Sequence, residues 1–332
     1  MKEMTDLLWE IRRRAGEPLA MATVVATEGH AYRRPGARML MNAEGPLLGF
    51  VSGGCLESEV CARARAVLGS GLPELHDFDL RGDLDLIWGS GSGCEGLARI
   101  LVEKVDPGAL WVTSLETCLQ ARQEVHLATI FEQGHADFGR HFVGEDLIPT
   151  FPGDTLVERI LPPIQVWIFG AGPEAHPLLA HAQILGWPVG IVDHRSAFAR
   201  VERFLGATNV RVGHPRQIIP DLALDARSAC LLLTHNFQKD LEALEQLLIS
   251  QVGYIGLMGH RERGQNLLRA LAERGTRPMA SQLARLYTPV GLDLGRTSPE
   301  GIALAILAEI QAHFAQGSGL PLRDRLGALE GV

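Results

Sequence analysis

The stretch Gly170-Ala171-Gly172-Pro173-Glu174-Ala175 constrains this chain more than any other. It follows a short apolar run, Gln165 to Phe169, and precedes a helical pattern from Ala175 to Leu185. Gly-x-Gly-x-x-Ala between a strand and a helix marks a doubly wound α/β fold, because these positions allow a tight turn and close backbone approach to a ligand. Asp193 closes the next apolar run, Val189 to Val192, near the spacing expected of a ribose-binding acid. Arg195 suits a 2′-phosphate, or else pairs with Asp193. Pro173 lacks an N–H, and Glu174 places a carboxylate in the first helical turn, where it satisfies the helix dipole and repels a phosphate.

Apolar runs at Ala229–Leu233 and Tyr254–Leu257 alternate with helical patterns at Asp240–Leu248, Arg261–Glu273 and Pro299–Phe314. Such alternation predicts a parallel sheet with right-handed crossovers. The fold class is therefore α/β, with a Rossmann-like parallel sheet over 165–332. Thr234-His235-Asn236 follows a strand at the carboxyl edge, where open α/β sheets bind ligands. His235 is either an acid or base facing such a ligand, or a loop residue capping the helix near Asp240.

A chain of 332 residues has room for a second domain. Residues 1–145 read as an α/β domain with a mixed sheet, and 146–164, rich in proline and glycine, as the linker. Leu7, Leu8 and Ile11 share one face of an N-terminal helix capped by Thr5 or Asp6. Arg38–Met41 and Leu47–Val51 flank a turn and form a hairpin. Glu57–Leu68 is helical.

Two glycine-rich loops in this domain each lead to a cysteine, Ser52-Gly53-Gly54-Cys55 and Gly91-Ser92-Gly93-Cys94. Glycine permits close backbone approach, and successive N–H groups cradle anions. A thiolate there suits a soft metal. Cys61, Cys118 and Cys230 sit in apolar patterns and are expected to pack. No zinc-binding spacing occurs. The turn Arg33-Arg34-Pro35-Gly36-Ala37-Arg38 brings arginines that suit phosphate, with Arg34 or Arg38 the candidate contact and at least one arginine simply solvated.

The net charge of −8 and the lack of a basic run argue against nucleic acid. No apolar run reaches membrane-spanning length and no signal peptide is evident. Five cysteines without a C-x-x-C pair fit a reducing cytoplasm.

With these residues assembled, the chain resembles the xanthine dehydrogenase accessory factor family, XdhC/CoxI. The resemblance rests on Tyr32-Arg33-Arg34-Pro35-Gly36-Ala37, Ser52-Gly53-Gly54-Cys55-Leu56-Glu57, Gly93-Cys94-Glu95-Gly96, Ile168-Phe169-Gly170-Ala171-Gly172, Val192-Asp193-His194-Arg195 and Pro289-Val290-Gly291-Leu292-Asp293-Leu294-Gly295. Pro173 and Glu95 depart from the family pattern. The resemblance implies a binding protein and not a turnover catalyst: a molybdenum cofactor chaperone serving an apo molybdenum hydroxylase of xanthine dehydrogenase type. It implies Cys55 and Cys94 as thiol contacts to cofactor or molybdenum, and Gly53, Gly54, Gly91 and Gly93 as the cradle. A cysteine desulfurase is a further candidate partner, and a homodimer the expected assembly. The alternative reading is an NAD(P)-dependent oxidoreductase acting on a small carbonyl substrate, with Gly170, Gly172, Asp193 and Arg195 holding the nucleotide and His235 as acid or base.

Overall fold

A computed structural model describes residues 2–79, 96–145, 151, 153–295 and 298–324. The chain divides into two compact units, Met1–Pro162 and Pro163–Val332.

In the N-terminal unit, β1 (Leu19–Gly29) is the middle strand of a sheet ordered β3-β2-β1-β5-β4. Its neighbours are β2 (Arg38–Met41), β3 (Pro46–Gly49), β4 (Glu74–Asp79) and β5 (Gly96–Val105). The β2–β3 hairpin is the one expected from sequence. Every pairing in this sheet is antiparallel.

Both faces of β1 are covered, so its first seven residues are all buried. Side chains alternate between faces along a strand. Ala20, Ala22 and Val24 meet Val60, Ala64 and Val67 of α2 (Glu57–Ser70). Leu19 and Met21 share a second core with Leu7, Leu8 and Ile11 of α1 (Lys2–Arg13) and with Val112 and Leu115 of α3 (Leu110–Gln120). Helix α1 starts before the expected Thr5 or Asp6 cap. Met4 extends the buried stripe by a turn, and its burial outweighs the local capping preference.

A smaller antiparallel sheet, β7-β6-β8, is built from β6 (Val125–Ile130), β7 (His141–Gly144) and β8 (Thr155–Ile160). Strand β8 lies within the 146–164 stretch that reads as linker. It pairs along the whole of β6, from Val125↔Ile160 to Ile130↔Thr155. The prolines that suggest a break flank this strand without interrupting it.

The C-terminal unit is a six-stranded sheet of β9 (Gln165–Phe169), β10 (Val189–Asp193), β11 (Asn209–Val212), β12 (Ser228–Leu232), β13 (Tyr254–Leu257) and β14 (Leu286–Tyr287). Its order is β11-β10-β9-β12-β13-β14 with all pairings parallel. Counted from β9, this is the 3-2-1-4-5-6 order of the doubly wound fold. On one face Val166, Ile168 and Leu231 pack with α4 (Ala175–Ile184) and α7 (Pro299–Phe314). On the other, Trp167, Phe169, Cys230 and Leu232 pack with α5 (Phe237–Ile249) and α6 (Arg261–Glu273). The strand order reverses between β9 and β12, so the loops after Phe169 and Leu232 border the crevice where such sheets bind ligands. Among the described residues no helix is long and apolar enough to cross a membrane.

Candidate functional site

The loop after β3 carries Cys55. Ser52 is buried and braces it: its N–H donates to Glu57 Oε1 at 2.9 Å, and its hydroxyl donates to Glu57 Oε2 at 2.5 Å. The same hydroxyl accepts the N–H groups of Gly54 and Leu56, each at 3.1 Å. Burial acts to raise the Glu57 pKa, but the Ser52 hydroxyl and nearby backbone N–H groups outweigh it and hold the carboxyl below its ordinary value. Cys55, just ahead of the Leu56 cap of α2, is exposed. Gly54 has φ +116°, and a side-chain carbon there would meet nothing within 4 Å. The loop is thus tied at its base and open at its tip.

The arginine turn packs against this loop. A side-chain carbon on Gly53 would lie 3.3 Å from the Tyr32 ring. Phe50 lies 6.4 Å from Tyr32, and the Arg33 guanidinium sits 4.4 Å above the Phe50 ring. Arg33 Nη2 also donates to both oxygens of Glu3, at 2.8 and 2.9 Å, while its Nε is buried without an acceptor. Tyr32, Arg33, Arg34 and Pro35 line a concavity of about 500 Å³.

The three arginines have separate fates. Arg34 is exposed, and its guanidinium has no partner among the described residues. Arg38 is buried on β2, forms a two-pronged ion pair with Glu158, and donates to Gly36 O at 2.9 Å. Of the two candidate contacts read from sequence, Arg34 therefore remains available and Arg38 belongs to the scaffold. Glu3 and Glu158 lie 30 and 120 residues from their arginines, and no local signal announces them.

Cys94, Gly91 and Gly93 lie outside the described residues. Gly96, the first described residue after them, is pressed onto the end of β1: a side-chain carbon there would fall 2.6 Å from Glu28 O and 2.9 Å from His30 O. His30 is two residues from Tyr32. Cys61 and Cys230 are buried in helical and strand cores, and burial raises both thiol pKa values. Cys118 is half-buried against the core shared by α1 and α3. Among the described residues, no group of three or more His, Cys, Asp or Glu side chains is placed to hold a metal ion.

In the C-terminal unit the loop after β9 is engaged from within. The Ala171 N–H donates to Asp193 Oδ2 at 2.8 Å. Arg195 grips the same carboxylate through its backbone N–H, its Nε and its Nη2, at 2.9, 2.9 and 2.7 Å. Burial works to raise the Asp193 pKa, and these bonds override it and lower it. Of the two roles open to Arg195, the structure displays pairing with Asp193.

His235 has φ +54° and a largely exposed ring, with Nε2 3.7 Å from Glu174 Oε2. It lines a cavity of about 430 Å³ with Met258, His260, Arg263 and Ile302. It does not cap α5; Asn236 does, accepting the Lys239 N–H at 3.1 Å. Asp240, buried beneath, accepts from Thr234 at 2.6 Å and from Arg263 at 2.7 Å. Gly291, in a segment that carries the family resemblance, is held structurally: Glu309 Oε2 accepts the buried Tyr254 hydroxyl at 2.5 Å and the Gly291 N–H at 2.8 Å.

Comparison with known proteins places both units. A family model described as XdhC and CoxI family matches residues 12–79, and one described as XdhC Rossmann domain matches residues 166–310. A Bacillus subtilis (strain 168) protein, named as a probable xanthine dehydrogenase subunit, is 31% identical over 329 residues, spanning 92% of this chain and 95% of that protein. The Escherichia coli (strain K12) molybdenum cofactor insertion chaperone PaoD is 23% identical over 325 residues, spanning 92% and 88%. The crystal structure of a Bacillus halodurans protein described as a xanthine dehydrogenase superposes with TM-score 0.79 at 30% identity, covering 95% of this chain and 96% of that one.

Proposed function

Because the chain belongs to the XdhC and CoxI family, we propose that it is a maturation factor for a molybdenum hydroxylase, taking up the molybdenum cofactor as cargo and delivering it to an apo-enzyme of xanthine dehydrogenase type. The observation that carries this reading is the exposed Cys55, held out on a braced glycine loop against the Tyr32–Arg34 turn. The chaperone name of one relative agrees with it.

The residues present suit such a cargo. The N–H groups of Gly53 and Cys55 have no internal acceptor among the described residues, and the free Arg34 guanidinium suits the phosphate of a pterin cofactor. The thiol of Cys55 suits molybdenum or a transferred sulfur. Cys94 is the second thiol of the proposed site. Gly96, two residues on, abuts the same end of β1 that leads into the arginine turn. A cysteine desulfurase as sulfur source and a homodimeric assembly complete the proposal.

The test is to purify the chain from cells making the cofactor and to measure molybdenum by mass spectrometry and extracted pterin by fluorescence. Wild type should carry both in equal amounts, and Cys55→Ala and Cys94→Ala should each lose most of them. Variants that retain cargo and activate a target apo-enzyme as well as wild type would remove the thiols from the reading.

A further inference from the structure

We propose that Glu174 is the residue that keeps the C-terminal unit from binding a dinucleotide: it sets the chain's own carboxylate where a nucleotide pyrophosphate would lie. The inference is independent of the cargo reading and concerns the other unit.

In a doubly wound nucleotide-binding fold, the first glycine makes the turn, the second lets backbone approach the pyrophosphate, and free N–H groups at the helix start receive it. Here most of these parts have another use, and of the loop's amides only those of Gly172 and Glu174 have no internal acceptor among the described residues. Gly170, at φ +117°, is required by packing, since a side-chain carbon there would fall 2.3 Å from Leu233 O. Its N–H donates to Val192 O at 2.8 Å. The Ala171 N–H is taken by Asp193 at 2.8 Å. Pro173 has no N–H. The Ala175 N–H bonds Gly172 O at 3.2 Å.

Gly172 then decides the matter. A side-chain carbon built on it would meet a single neighbouring atom, Glu174 Oε2, at 3.1 Å. The carboxylate of Glu174, the cap residue of α4, is therefore folded back over the open side of the second glycine. Its Oε2 is buried and accepts no hydrogen bond, with His235 Nε2 at 3.7 Å. A carboxylate at a helix start satisfies the dipole that would otherwise draw a phosphate, and it repels one that arrives. The acid that would take a ribose, Asp193, is bound by Arg195 and Ala171.

The experiment is a titration of the full chain with NADH and NADPH, followed by their fluorescence, and with ADP by calorimetry. Wild type is compared with Glu174→Gln and Glu174→Ala, after thermal unfolding has shown that each variant folds. Wild type should show no saturation at millimolar ligand. Both variants should bind at least about tenfold more tightly at low salt, with an advantage over wild type that shrinks as salt rises, as screening of one nearby like charge requires. Saturable nucleotide binding by wild type that the substitutions leave unchanged or weaken would overturn the proposal. So would variants that fold and bind no better than wild type, since Glu174 would then not be the determinant.

Discussion

The loops after β3 and after β9 are built from similar parts and end in opposite states. Each has two glycines, each leads into a helix, and each receives a carboxylate from the residue at or just after the helix cap. In the first, Glu57 reaches backward and downward to Ser52, bracing the base and leaving Gly54 and Cys55 open. In the second, Glu174 lies over Gly172 while Asp193 takes the Ala171 amide, so the loop is closed by its own side chains. Glycine content does not make a binding loop. What matters is which N–H groups and which surface remain after the protein has satisfied itself.

Glycine-to-alanine changes are the sharpest way to break this contrast. Gly170→Ala combines a left-handed φ with a clash against the Leu233 carbonyl and should cost about 4 kcal/mol or more, read by urea unfolding. Gly54→Ala meets open space and should cost only about 1–2 kcal/mol, the conformational part alone. Equal costs would mean that the first loop is as tightly packed as the second.

The arginines come next. Arg38→Met leaves the partly buried Glu158 carboxylate without its partner and should destabilise by about 2–3 kcal/mol. Arg34→Gln should stay within about 0.5 kcal/mol of wild type, as an exposed substitution does, while lowering retention of the proposed cargo in the same purification assay.

Ser52→Ala should cost about 1–2 kcal/mol by removing the brace. Its pH dependence has a definite sign. The folded-state pKa of Glu57 is lowered, so its contribution is complete above the unfolded value and is lost as pH falls through the folded one. Wild type should lose stability toward acid faster than Glu57→Gln, and the two curves should converge at low pH. Cys55→Ala completes the series. Its unfolding midpoint should match wild type within error, because the thiol is exposed, and only cargo retention should change.

Much of the architecture is readable because it rests on local pattern. The segments Tyr254–Leu257, Arg261–Glu273 and Pro299–Phe314 have the limits that their periodicity predicts. The parallel sheet and its crossovers follow from strand–helix alternation, whereas the 3-2-1-4-5-6 order is set by strand pairing. Strand β8 is not readable, because its flanking prolines resemble a linker and its identity comes from pairing with β6. In the candidate site, the open Cys55 loop and the buried Cys61 and Cys230 are legible from their surroundings in sequence. The division of labour among Arg33, Arg34 and Arg38 is not.

By itself, then, the order of residues determined the α/β class, the doubly wound C-terminal unit, and the two loops worth attention. Periodicity, turn chemistry and helix signals act over a few residues and are written in the chain directly. Only the tertiary structure decided which arginine stays free and which glycine serves packing. Those outcomes depend on partners tens to more than a hundred residues away, such as Glu158 for Arg38, and on which polar groups remain unsatisfied once the chain has folded.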